Sequence, residues 1–149
     1  MIVLVNMPGA EVTRPSLALG ILARLLRDAA HTVRVVDANL RWLDRVGPEP
    51  YLATLETSPA DMVLEFVFAA AAFPDRTPDV DAFVALACER DAALALRGPA
   101  WLRALLVPLM ADAPRFVDAL ADHLCGLGPR AVGCSSMFQQ HAASFALLS

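Results

Sequence analysis

The chain has 149 residues, enough for one domain with a substantial core, and its 12 arginines against 16 acidic residues give a net charge of −4. It has no lysine, which excludes a lysine Schiff base or a Walker-type phosphate lysine, and no basic stripe, which argues against nucleic acid as a partner. Hydrophobic residues make up 57% of it, yet the apolar runs Phe66–Phe73 and Ala104–Ala111 fall far short of the roughly 20 residues a membrane span needs.

No basic region precedes the first apolar run, so the N-terminus does not read as a signal peptide. No membrane partner is expected, and the expected location is cytoplasmic. Ile2–Asn6 is continuous and aliphatic, the pattern of a strand buried on both faces. Met7–Pro15 is a loop, and Ser16–Ala29 is a helix. The polar positions of that helix, Ser16, Gly20, Arg24 and Arg27, share one face, so its many leucines predict that the rest is mostly buried. Thr32–Asp37 is a second strand, and residues 1–39 therefore form a βαβ unit with parallel strands. Asp37 or Asn39 is expected to cap the next helix.

Residues 40–128 contain no convincing strand. Prolines punctuate helical segments at about Asn39–Val46, Pro59–Ala72, Val80–Leu96, Ala100–Met110 and Ala113–Leu127. Pro108 is expected to kink or end its helix. In the last segment Phe116, Val117, Leu120 and Leu124 form the buried stripe, while Arg115, Asp118 and Asp122 face away. Trp42 and Trp101 are expected to pack in the core. The spacing of Cys88, Cys125 and Cys134 fits neither zinc nor an iron–sulfur cluster, and predicts buried apolar thiols.

Residues 129–149 hold a third strand, Ala131–Ser135, and the start of a helix. Ser136 precedes Gln139 by three residues, the spacing of a capping box. The fold class is thus α/β: a partial Rossmann or flavodoxin-like parallel sheet of order 2-1-3, with a helical insertion between strands two and three. Ligands of such sheets bind beyond the strand ends at the switch point, so the Met7–Ser16 loop and the Ser135–Gln140 turn should face each other there. The pattern stops in mid-helix and leaves strand three as a bare edge. A fragment, a truncated gene or half of a split protein is therefore expected.

Four stretches then become distinctive: Val3-Leu-Val-Asn-Met-Pro-Gly-Ala-Glu-Val-Thr-Arg-Pro-Ser-Leu-Ala-Leu-Gly20, Val35-Val-Asp-Ala-Asn-Leu40, Glu65-Phe-Val-Phe-Ala-Ala-Ala-Ala-Phe-Pro74 and Val132-Gly-Cys-Ser-Ser-Met-Phe-Gln-Gln140. In order, they resemble the N-terminal cobalamin-binding region of B12-dependent radical SAM enzymes, above all the C-methyltransferases that mature ribosomal peptide natural products. The resemblance implies a corrinoid at the sheet edge that passes a methyl group to a radical made in a following barrel. The cysteine triad for a [4Fe–4S] cluster is absent, so that cluster and S-adenosylmethionine would need a separate radical SAM domain or partner chain. The glycine-rich segment that usually takes the cofactor's nucleotide tail is also absent. So is the Asp-x-His-x-x-Gly motif of many B12 proteins, and any corrinoid should lack a histidine ligand from the first loop.

On this reading Ser135, Ser136, Phe138, Gln139 and Gln140 form one wall of a slot, and Asn6, Pro8, Gly9, Thr13 and Arg14 form the other. Gly9 would let backbone approach a flat ring, and Arg14 could meet a phosphate or carboxylate. His141 lies near this site, whereas His31 and His123 read as structural. No catalytic residue and no metal ligand is assigned. Two rival readings remain. One is a non-enzymatic interaction module that docks on a partner chain. The other is a nucleotide-binding βαβ protein, disfavoured because the first loop has a single glycine.

Overall fold

A computed structural model describes residues 1–149. The aliphatic run Ile2–Asn6 forms β1, the centre of a three-stranded parallel sheet. On one side lies β2, Val33–Asp37, with Ile2 opposite Val33 and Asn6 opposite Asp37. On the other lies β3, Ala131–Cys134, with Ile2 opposite Ala131 and Val5 opposite Cys134. The order β2-β1-β3 and the helical insertion are those the sequence predicts. No helix is long and apolar enough to cross a membrane.

Strand alternation divides the sheet into two unequal faces. Val3, Val5 and Val36 turn into the main core, which the insertion covers. Leu4 turns the other way, onto Leu19 and Ala23 of the first helix, α1 (Leu17–Asp28). Ser16 caps α1, its hydroxyl accepting from Leu19 N at 3.4 Å. The predicted burial of α1 is overturned. Leu19 and Ala23 are buried, but Leu17, Ile21, Leu22 and Leu25 are exposed, Leu17 by 77%. A single helix on this face buries only the stripe that meets the sheet, and no second helix lies beside it.

The insertion comprises α2 (Ala38–Val46), α3 (Pro48–Leu55), a 3-10 turn (Pro59–Asp61), α4 (Val63–Ala72), α5 (Val80–Arg90), α6 (Ala92–Arg97) and α7 (Pro99–Gly126). It departs from the predicted segments in four ways, the first being that the predicted Pro59–Ala72 helix divides at Met62, whose φ is +55°. Pro48 starts α3, in a stretch with no predicted helix, as its first helical residue, where a missing N–H costs nothing. The predicted Val80–Leu96 helix divides at Asp91, whose extended backbone lets its carboxylate accept from Ala93 N and Leu94 N and cap α6. The two predicted segments around Pro108 and Pro114 are one helix of 28 residues. Its buried stripe runs from Leu102 and Leu106 through Leu109 and Ala113 to Phe116, Val117, Leu120 and Leu124. That burial outweighs the backbone hydrogen bonds each proline removes.

Trp42 of α2 is fully buried against Phe68, at 5.2 Å between ring centroids, and Phe116, at 4.9 Å. Trp101 is half-buried, under the Arg97 guanidinium. After β3 the chain turns and ends in α8 (His141–Leu148), which packs on α4 and α7. Of the cysteines, Cys134 is half-buried and its thiol is pushed up to about 11 by burial. Cys88 is also half-buried. Cys125 is exposed, against expectation, because it lies one position beyond the buried stripe of α7.

Candidate functional site at the carboxyl end of the sheet

Both crossover loops leave the same end of the sheet, and they touch. Ser135 N donates to Val5 O, extending the β1–β3 ladder by one bond at 2.9 Å. The Ser135 hydroxyl accepts from Met7 N at 2.9 Å. Gln140 Nε2 donates to Met7 O at 2.8 Å, while its Oε1 accepts from Met137 N at 3.1 Å. One buried amide thus ties the first loop to the turn and also closes the turn.

Gly9 has φ +95° and lies against the turn. A β-carbon there would come within 2.9 Å of the Gln139 carbonyl oxygen and 3.0 Å of the Leu64 side chain. Glycine is therefore required by close packing against the protein itself. Gln139, at φ +66°, directs its side-chain oxygen to Leu64 N at 2.9 Å. That contact satisfies a free amide at the start of α4.

The predicted capping box is overturned. Neither Ser136 nor Gln139 caps α8; the helix starts later, at His141, with Gln140 at the N-cap position. Its free amides are met from another element. The Glu65 carboxylate of α4 accepts from His141 N at 3.0 Å and Ala142 N at 2.6 Å. It also accepts from the His141 ring at Nδ1, at 3.0 Å. A carboxylate at a helix N-terminus also meets the positive end of the helix dipole.

Below the first loop lies a buried polar chain. Asn6 Nδ2 donates to Asn39 Oδ1 at 3.2 Å, and Asn39 Nδ2 donates to Glu11 O at 3.3 Å. Asp37 holds the N-cap position of α2, as expected, but its side chain bonds no helix amide; Asn39 is drawn inward to hold the loop. Tyr51 of α3 adds a bond from its hydroxyl to Ala10 O at 2.7 Å, and burial pushes its phenol up to about 12. Glu11 organises the exposed part of the loop, accepting from Val12 N, Thr13 N and the Thr13 hydroxyl. Those bonds, led by the Thr13 amide, hold its carboxyl below the usual range.

The ten residues expected to line the site therefore divide in two. Asn6, Pro8, Gln139 and Gln140 are buried, and Ser135 and Gly9 are half-buried in the seam between the loops. Thr13, Arg14, Ser136 and Phe138 are exposed around it, Phe138 by 74%, and Met137 beside it by 67%. None of the five main cavities is lined by residues 7–16 or 135–140.

The donor set fits a corrinoid only in part. The seam is filled by packed side chains, so it leaves no slot for a flat ring between the loops. The rim does offer an apolar surface in Met137 and Phe138, a hydroxyl on Ser136 and a guanidinium on Arg14. No histidine lies in the first loop, and no group of three or more His, Cys, Asp or Glu is arranged to hold a metal ion.

Sequence reasoning missed Glu65 and Tyr51 as holders of this end of the sheet. Tyr51 is the only tyrosine, in a stretch outside the predicted helices, and Glu65 was visible only as one residue of an otherwise apolar helix. His31 is exposed in the turn before β2, and His123 lies beside Arg41, its ring nitrogen accepting from the guanidinium at 3.0 Å. The class defined by these features is an α/β protein with a short parallel sheet and two joined crossover loops at its carboxyl end. No family model, no curated protein and no solved structure matches this chain.

Proposed function

We propose that this chain is the cobalamin-binding part of a radical SAM methyltransferase of the kind that matures ribosomal peptides, incomplete as an enzyme by itself. The observation that carries the reading is the meeting of Gly9 with Gln139. It joins the two most distinctive stretches of the resemblance at the switch point of the sheet, where ligands of such folds bind.

When bound, the corrinoid supplies the methyl group; the protein supplies position and electrostatics. Ser135 and Gln140, both bonded to Met7, and Gly9, packed on Gln139, would make the floor rigid. Phe138 and Met137 cover apolar surface of the ligand. Arg14 could pair with the phosphate of its nucleotide tail, and Thr13 and Ser136 would be the hydroxyls available to its amide arms. The corrinoid would be held by these rim residues, and the iron–sulfur cluster and S-adenosylmethionine would come from a separate domain or partner chain.

The test is to mix the folded, monodisperse protein with hydroxocobalamin and measure corrin absorbance retained after gel filtration. Retention is expected, with Arg14→Ala and Phe138→Ala each weakening it about fivefold or more, which is roughly 1 kcal/mol. A folded sample that retains no chromophore removes the reading.

One observation favours a second reading, a non-enzymatic module that docks on a partner. The free edge of β3 and the exposed leucines of α1 are both surfaces that another chain covers in an ordinary sheet of this class. Stable association with a second protein in the absence of any corrinoid would support it.

A further inference from the structure

We propose that Arg34, Arg41 and His123 form a binding site for a phosphate monoester, on the outer flank of the sheet and apart from the crossover loops. β2 is an edge strand, and Arg34 is its second residue. Val33 and Val35 pack toward α1, whereas Val36 enters the main core. Alternation therefore turns Arg34 to the side that carries the insertion. Two groups of that insertion meet there. Arg41 of α2 and His123 of α7 are 82 positions apart, and Arg41 Nη2 lies 3.0 Å from His123 Nε2.

Three side chains that can each be cationic thus converge from three elements without a counter-charge. Arg24, Arg45, Arg97, Arg103 and Arg115 each hold a carboxylate, but none lies within ion-pairing distance of Arg34, Arg41 or His123. Of the acids on the same elements, Asp37 is turned to Asn6. Asp44 borders, with Arg41, a separate cavity that neither Arg34 nor His123 lines. Asp118 and Asp122 stand on α7 itself and pair with none of the three. A guanidinium only donates, so Nε2 accepts from Arg41 and the neutral ring carries its proton on Nδ1. Burial, then the charges of Arg41 and Arg34, hold this imidazole below its ordinary value.

An anion changes that balance. Its charge favours the imidazolium, which takes one proton from solvent and donates from Nε2 to the ligand instead of accepting from Arg41. Two guanidinium forks and an imidazolium then match the three terminal oxygens of a phosphate monoester. A phosphodiester or a carboxylate has two free oxygens and a single charge, and fills the set only in part.

The test uses the full chain at low ionic strength, where exposed charges are least screened. Glycerol 3-phosphate, followed by the His123 ring signals in NMR, should bind with a dissociation constant on the order of 1 mM and shift the His123 titration upward. Dimethyl phosphate and acetate should bind at least about fivefold more weakly. Sulfate, a dianion that does not itself titrate near neutrality, isolates the ring. Its affinity should rise about tenfold as pH falls from about 8 to about 5, and His123→Gln should remove that dependence. Arg34→Gln and Arg41→Gln should each weaken glycerol 3-phosphate about fivefold, whereas Arg103→Gln, the same charge change elsewhere on α7, should leave it unaltered. Binding of glycerol 3-phosphate without retention on phosphatidylcholine vesicles containing phosphatidic acid supports a soluble ligand; retention on those vesicles supports the same chemistry in a lipid headgroup. Equal binding of glycerol 3-phosphate and acetate overturns the proposal. So does an unmoved His123 titration in excess phosphate monoester, or unchanged affinity in Arg34→Gln and Arg41→Gln.

Discussion

Asp61 and Asp91 meet where the 3-10 turn approaches the start of α6. Asp61 Oδ2 is buried with no hydrogen-bond partner. Burial, then the neighbouring Asp91 carboxylate, push the Asp61 carboxyl above its ordinary range. The Leu94 and Ala93 amides hold Asp91 below its own. The folded state therefore holds a proton on Asp61 more readily than the unfolded chain does. This contribution to stability is present in acid and is lost as pH rises through the raised value. Asp61→Asn should stabilise the protein by about 1 kcal/mol at pH 7, a figure already discounted for solvent screening. The gain should vanish at pH 3. Urea midpoints at the two pH values check this, and an equal displacement at both would show that charge is not the cause. At this scale the chemistry of Gly9, Gln139 and Gln140 could be read along the chain, but not their partners. The two glutamine amides look like ligand donors in sequence and bond backbone groups of Leu64, Met7 and Met137 instead.

Among the elements, α8 shows how far local signals reach. Ser136 and Gln139 have capping-box spacing, yet the turn between them is held by Gln140 and the helix is capped by Glu65 from α4. A cap supplied from a residue 76 positions away has no local signature. Glu65→Ala should cost about 1–2 kcal/mol, the usual range for a lost cap. It should also speed amide exchange in residues 141–149 while leaving α7 protected. Unchanged exchange in α8 would assign the cap to another group. In α7 the opposite holds. Pro108 and Pro114 are strong local breakers, and they lose to a buried stripe that spans the whole helix. Helix ends set by Ser16, Asp79 and Asp91 do follow the local rule, because each side chain bonds amides two or three residues ahead.

For the whole molecule, the two faces of the sheet are unequally covered. Seven helices of the insertion and the C-terminal segment, α2 to α8, lie in or against the main core, while α1 alone covers the other face. The stripe of Leu17, Ile21 and Leu25 has helical spacing and faces outward. The double variant Ile21→Glu, Leu25→Lys should change stability by no more than about 0.5 kcal/mol, since neither site is packed. It should also lower self-association in sedimentation velocity at high concentration. A loss of several kcal/mol would mean that the stripe is buried in solution.

The order of elements, the parallel sheet 2-1-3 and the loops at its carboxyl end were determined by the sequence alone. Period, apolar runs and a single βαβ unit leave few ways to connect three parallel strands. Tertiary structure decided which leucines of α1 are covered, whether proline ends α7, which carboxylate caps α8, and that the seam between the loops is closed. Each of these depends on residues far apart in the chain, where packing across the fold outweighs what neighbouring residues prefer.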